Sequence, residues 1–69
     1  MVSVDFDKRL YKLKAVKAAA REYGGFADFS ITVDGHAIRV VMENIDYQPE
    51  ELFLCEFSNY VIHKMGESL

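Results

Sequence analysis

Cys55 is the only cysteine of the chain, and His36 and His63 are its only histidines. A reactive thiolate needs a neighbouring His or a helix N-terminus to lower its pKa, whereas Cys55 stands mid-helix between Leu54 and Glu56 with neither. It reads as a packing residue. No metal-ligand spacing joins His36, His63 and Cys55, so both histidines read as surface residues. Asp5 and Asp7 share one strand parity and resemble a carboxylate pair for acid-base work. No partner base or pocket-forming loop lies near them in sequence, and charges that protect a sheet edge fit better. No P-loop, nucleotide-binding glycine fingerprint, zinc motif or nucleophile elbow occurs. The expectation is a chain that is not an enzyme and uses no cofactor or metal.

The remaining polar residues are suited to recognition. Six of the eight bases (Lys8, Arg9, Lys12, Lys14, Lys17 and Arg21) and no acid lie between positions 8 and 21, so that segment carries +6. The rest of the chain, with the other two bases and all eleven acids, carries −9. Lys14, Lys17 and Arg21 follow one another at steps of three and four and share one helix face. Such a face is either simply solvated or a docking surface for an acidic peptide or protein, which it would attract and orient. Nucleic acid is the weaker candidate, because the surplus acid opposes phosphate binding and no recognised nucleic-acid motif is present. In the segment Glu56-Phe57-Ser58-Asn59-Tyr60 polar residues interrupt an apolar helix. A mid-helix Asn wants hydrogen-bond partners, so Asn59, with Tyr60 beside it, marks either an exposed position or an interface to the first helix or to another chain.

The elements that position these residues follow from periodicity. Val2, Val4 and Phe6 alternate with Ser3 and Asp5, a strand with one buried face. From about Leu10 the period changes: Leu13, Val16, Ala20 and Tyr23, widened by Ala19, form the stripe of an amphipathic helix, which Gly24 and Gly25 end through positive φ near Tyr23. Phe29, Ile31 and Val33 alternate with Ser30 and Thr32, Asp34-Gly35 supplies a turn, and Ile38, Val40 and Met42 alternate with Arg39 and Val41. This is a hairpin. Pro49, Glu50 and Glu51 suit the first turn of a last helix, with Tyr47 and Leu52 as a hydrophobic staple. That helix runs to about Met65, where Lys64 and Gly66 suit its end. Leu52, Phe53, Leu54, Cys55, Phe57, Tyr60, Val61, Ile62 and Met65 cover more of its circumference than one sheet can bury.

The order β-α-β-β-α predicts a single α+β domain over residues 1–69: a two-layer sandwich with a three-stranded sheet ordered 1-3-2 and both helices on one face. This is a ferredoxin-like unit without its last strand; the order 3-2-1 is the alternative. At 69 residues, with 51% hydrophobic residues, a chain buries only about 60% of its unfolded surface, and connections of two to six residues leave little material for an active-site cleft. An open sheet edge and an over-apolar second helix predict a homodimer. Charge from residue 5 onward, and the lack of any long uncharged apolar run, predict a soluble cytoplasmic protein without a membrane span.

Val2-Ser3-Val4-Asp5-Phe6-Asp7, the helix Tyr11-Lys12-Leu13-Lys14-Ala15-Val16-Lys17-Ala18-Ala19, the hairpin and Glu56-Phe57-Ser58-Asn59 together resemble the small D-type (HxsD-like) protein of the His-Xaa-Ser system, over nearly the whole chain. The sequence departs from that family at Ala20, where a second aromatic is typical, and in its tail Gly66-Glu67-Ser68-Leu69, which has no terminal Arg. The resemblance implies an accessory protein that accompanies radical S-adenosylmethionine enzymes in maturing a His-Xaa-Ser repeat peptide, without a catalytic role of its own. Its partners would then be the maturation enzyme or that peptide substrate.

Overall fold

Period-two alternation makes three strands and period-3.6 stripes make two helices, in the order β1 (Val2–Asp7), α1 (Leu13–Glu22), β2 (Asp28–Asp34), β3 (Ala37–Glu43) and α2 (Glu50–Glu67). The structure, a computed structural model, describes residues 2–67. β3 lies in the middle and pairs antiparallel with both neighbours, giving the sheet order β1-β3-β2. β1 and β2 therefore run parallel with β3 inserted between them, the split β-α-β arrangement of ferredoxin-like folds. Register aligns the apolar positions into rows: Val2, Met42 and Phe29; Val4, Val40 and Ile31; Phe6, Ile38 and Val33. A slip of one residue would turn every row to solvent.

Both helices cover the apolar face. α1 contributes Ala15, Val16, Ala19 and Ala20, and α2 contributes Phe53, Phe57 and Val61, which join Phe6, Ala27, Ile38, Val40 and Met42 in one core. The opposite sheet face is uncovered: Ser3, Asp5, Asp28, Ser30, Thr32, Arg39 and Glu43 are all exposed. Aromatic rings fill the space that the alanines leave. Phe57 contacts Phe6, Tyr23 and Phe29, and Phe53 contacts Tyr23, Phe26, Phe29 and Tyr47.

Several local expectations are corrected. α1 starts at Leu13 rather than near Leu10, which lies 69% exposed in a turn where the Leu10 and Tyr11 amides donate to the Asp7 carbonyl. The helix leaves through right-handed turns, the Gly24 amide donating to Arg21 and the Phe26 amide to Tyr23, so neither Gly24 nor Gly25 takes a positive φ. Space rather than φ favours glycine at 24, because a Cβ there would meet the Arg21 carbonyl at 3.3 Å. The hairpin loop is Gly35-His36, one residue later than expected, since Asp34 pairs with Ala37. Only the first loop residue, Gly35, has positive φ (63°), the pattern of a type II′ turn.

At α2, Pro49 stands just outside the helix and its carbonyl accepts from the Leu52 and Phe53 amides at 3.1 and 3.2 Å. That start moves the staple by one residue: Tyr47 packs on Phe53, with ring centroids 5.3 Å apart, while Leu52 is 46% exposed. α2 continues through Glu67, so Gly66 lies within it instead of just beyond its end. Cys55 is exposed, not packed, because it lies on the face of α2 opposite Phe53, Phe57 and Val61.

Candidate functional site

Burial of Ala15, Val16, Ala19 and Ala20 fixes the rotation of α1 and turns Lys14, Lys17 and Arg21 to solvent on one face. Among the described residues none of the three forms an ion pair. Two open depressions flank this basic row. One, of about 420 Å³, is lined by Leu13, Lys14, Lys17, Ala18 and Arg21. The other, of about 500 Å³, runs between α1 and β2: Lys17 and Arg21 form one rim, Ala20, Ala27, Phe29 and Ile31 the apolar lining, and Gly24 and Asp28 complete it. Lys17 and Arg21 border both. Sequence periodicity identified the basic row, but not the groove. Phe29 and Ile31 belong to it because β2 is an outer strand lying beside α1, which follows from the order β1-β3-β2 and not from alternation.

Asn59 and Tyr60 separate. Asn59 is exposed on α2. Tyr60 turns inward and packs edge-on against Tyr23 at the end of α1, centroids 5.4 Å apart, while the Lys64 ammonium lies 5.4 Å from its ring centre. Tyr60 is thus a link between helices, and Asn59 is the exposed member of the pair. Burial pushes the Tyr23 phenol up, with the Glu56 charge adding to the shift. The Tyr47 hydroxyl donates to Glu56 at 2.8 Å, and that bond raises its pKa as well.

Acids occur in both layers: Glu22 ends α1, Glu50, Glu51, Glu56 and Glu67 lie on α2, and five belong to the strands. Asp5, Asp28, Asp34 and Glu43 are exposed on the sheet side, and Asp7 is half-buried beside them. Asp5 accepts from Arg39, its cross-strand neighbour, at 3.1 Å. Asp7 accepts from the Arg9 amide and side chain at 2.8 to 3.0 Å, and those bonds hold its carboxyl at about 2. A depression of about 470 Å³ adjoins them, lined also by Asp34 and His36. With Arg partners on both, Asp5 and Asp7 serve as ion-pair partners, and a carboxyl held near 2 is a poor proton acceptor at neutral pH. Among the described residues no cluster of three or more His, Cys, Asp or Glu side chains is arranged to hold a metal ion.

Fold and site together define a small α+β sandwich with an exposed row of bases on one helix and an open sheet face that carries Asp5, Asp28, Asp34 and Glu43 beside Arg39. Comparison with known protein families, with curated proteins and with solved structures returns no match. Among the described residues no helix is long and apolar enough to cross a membrane.

Proposed function

We propose that this chain is a non-catalytic protein-binding module that engages an acidic segment of a partner through Lys14, Lys17 and Arg21. The observation that carries this reading is the row itself: Lys14, Lys17 and Arg21 stand exposed on one face of α1, form no ion pairs among the described residues, and border two open grooves. Such an arrangement speeds and orients encounter with an oppositely charged surface. The likeness to the D-type protein of the His-Xaa-Ser system supports an accessory role beside a radical S-adenosylmethionine enzyme or its peptide substrate. A cytoplasmic setting goes with this role, and the unpaired, exposed Cys55 fits a reducing compartment.

Fluorescence anisotropy with a labelled Glu-rich peptide tests the reading. Binding should weaken with added salt and fall at least tenfold in the double reversal Lys17→Glu/Arg21→Glu, while a Lys-rich peptide stays unbound. Equal affinity of wild type and double variant would sink it. Retardation of an oligonucleotide at low salt, lost in the same variant, would instead move the surface to nucleic acid.

A second reading, a homodimer, is favoured by α2. Leu52 and Ile62 are 46% and 54% exposed, and with Cys55 and Asn59 they make a stripe opposite the buried face. Light scattering at micromolar concentration decides it; a monomer mass removes this reading.

A further inference from the structure

We propose that the groove between α1 and the outer edge of β2 receives an extended peptide as an added strand, with acidic side chains at alternate positions set against Lys17 and Arg21. The inference rests on the reading of α1 as an acidic-partner surface and adds the mode of binding and the pattern recognised.

Among the described residues β2 pairs with β3 alone, so its other edge is open to a further strand. The hairpin geometry says which residues serve that edge. Asp34 and Ala37 flank a two-residue loop and form its closing hydrogen-bonded pair, and hydrogen bonding then alternates along the ladder. Asp28, Ser30, Thr32 and Asp34 therefore direct their backbone groups to β3, and Phe29, Ile31 and Val33 direct theirs to the free edge. Of the three β2 residues that line the groove, Phe29 and Ile31 have the parity of the core face, and Asp28, at the end of the strand, has that of the open face, where it accepts from Asn44 at 2.8 Å. A peptide residue that exchanges backbone bonds with Phe29 or Ile31 must point its side chain to the same side, toward the rim formed by Lys17 and Arg21.

Spacing agrees with this arrangement. Lys17 and Arg21 are four residues apart on a helix, a rise of about 6 Å, and alternate side chains on a strand repeat at about 6.6 Å. Two acids separated by one residue thus match the two bases. The intervening residue faces the open side of the sheet beside Asp28, Ser30 and Thr32, where another acid would be repelled and a hydroxyl or basic side chain is accommodated. The pattern is acid-x-acid, with x not acidic. A second copy of β2 is a poorer occupant, because antiparallel pairing over the full strand would place Asp28 of one copy opposite Asp34 of the other, at both ends.

The test uses the full chain and two labelled peptides: Thr-Glu-Thr-Glu-Thr-Glu-Thr with blocked ends, and the same peptide N-methylated at each Glu, which keeps the charge and removes the backbone donors. Anisotropy should show the first peptide binding and the second at least tenfold weaker. Hydrogen exchange followed by NMR should show the Phe29 and Ile31 amides slowed at least tenfold by saturating peptide, with the Ser30 and Thr32 amides changed by less than twofold, since β3 already holds them. Equal affinity for the two peptides, or unchanged exchange at Phe29 and Ile31, would overturn strand addition and leave the charged surface standing. Binding of neither peptide would remove both readings.

Discussion

α1 buries Ala15, Val16, Ala19 and Ala20 and turns Lys14, Lys17 and Arg21 outward, whereas α2 buries Phe53, Phe57 and Val61 and leaves Leu52, Cys55 and Ile62 exposed. Small side chains let α1 approach the sheet closely while adding little volume to the core, so the large rings of α2, with Phe6, Tyr23 and Phe29, must fill it. The difference divides labour between the helices. Of the two helices α2 supplies the larger buried side chains, and the outer face of α1 is free to carry a row of bases without consequence for packing. A surface decoupled from the core in this way can be altered for recognition while the fold remains.

Substitutions on the buried faces of the two helices test that division, and the largest effect should come from α2. Phe57→Ala removes a fully buried ring that touches three others, and such truncations cost about 3–5 kcal/mol. A single core in a chain of this size rarely supplies more than about 3–5 kcal/mol in total, so the variant should be largely unfolded by circular dichroism at 25 °C. A cooperative urea transition near that of wild type would show that the rings of α2 are not what the core depends on. Ala19→Leu tests α1 in the opposite direction. Ala19 has no exposed surface, and inserting a larger side chain into a packed core costs about 1–3 kcal/mol. The urea midpoint should fall without loss of the folded baseline; an unchanged midpoint would mean that α1 does not need its close approach.

The same contrast explains what could be read from the residues alone. Alternation in Phe29-Ser30-Ile31-Thr32-Val33 and in Ile38-Arg39-Val40-Val41-Met42 has one solution when a single face is buried, so the strands were legible, while the order 1-3-2, favoured over 3-2-1 by a right-handed crossover, is settled by the fold. The sharp apolar and basic faces of α1 were legible for a like reason. α2 was legible as a helix but not in its rotation, because apolar residues surround it; only packing shows that Phe53, Phe57 and Val61 turn inward while Leu52 and Cys55 do not. Helix and turn ends shifted by one to three residues because they depend on which backbone group captures a hydrogen bond, as the Asp7 and Pro49 carbonyls do. The groove lay outside any local pattern, being made by a helix and an edge strand that meet only in the fold.

Surface substitutions sharpen the comparison with much smaller effects on folding. Ile62→Lys alters an exposed position of α2 and should change stability by no more than about 0.5 kcal/mol. If the exposed stripe of α2 joins two copies, light scattering should show the mass of the variant falling to that of a monomer while wild type remains a dimer. Lys17→Glu/Arg21→Glu on α1 should likewise leave the urea midpoint within about 0.5 kcal/mol of wild type while peptide binding is lost. A large drop in stability would show that the basic face is structural after all.

The smallest effect concerns the turn that leads into α1. Asp7 accepts from the Arg9 side chain and amide, and those bonds lower its carboxyl from the ordinary 3.8 to about 2. A depressed carboxyl adds stability that is present above its unfolded value and is lost as pH falls through the folded one. The Asp7–Arg9 contact should therefore persist from neutrality to about pH 4 and disappear toward pH 2, a window that carboxyl-carbon NMR resolves directly. Arg9→Ala should return the midpoint of Asp7 toward the ordinary carboxylate range and leave the amide shifts of Ala15, Val16 and Ala19 unchanged, because burial and not the turn sets the rotation of α1. Movement of those shifts would mean that the basic face is aimed by Arg9 and Asp7, and that the entry turn is part of the recognition surface.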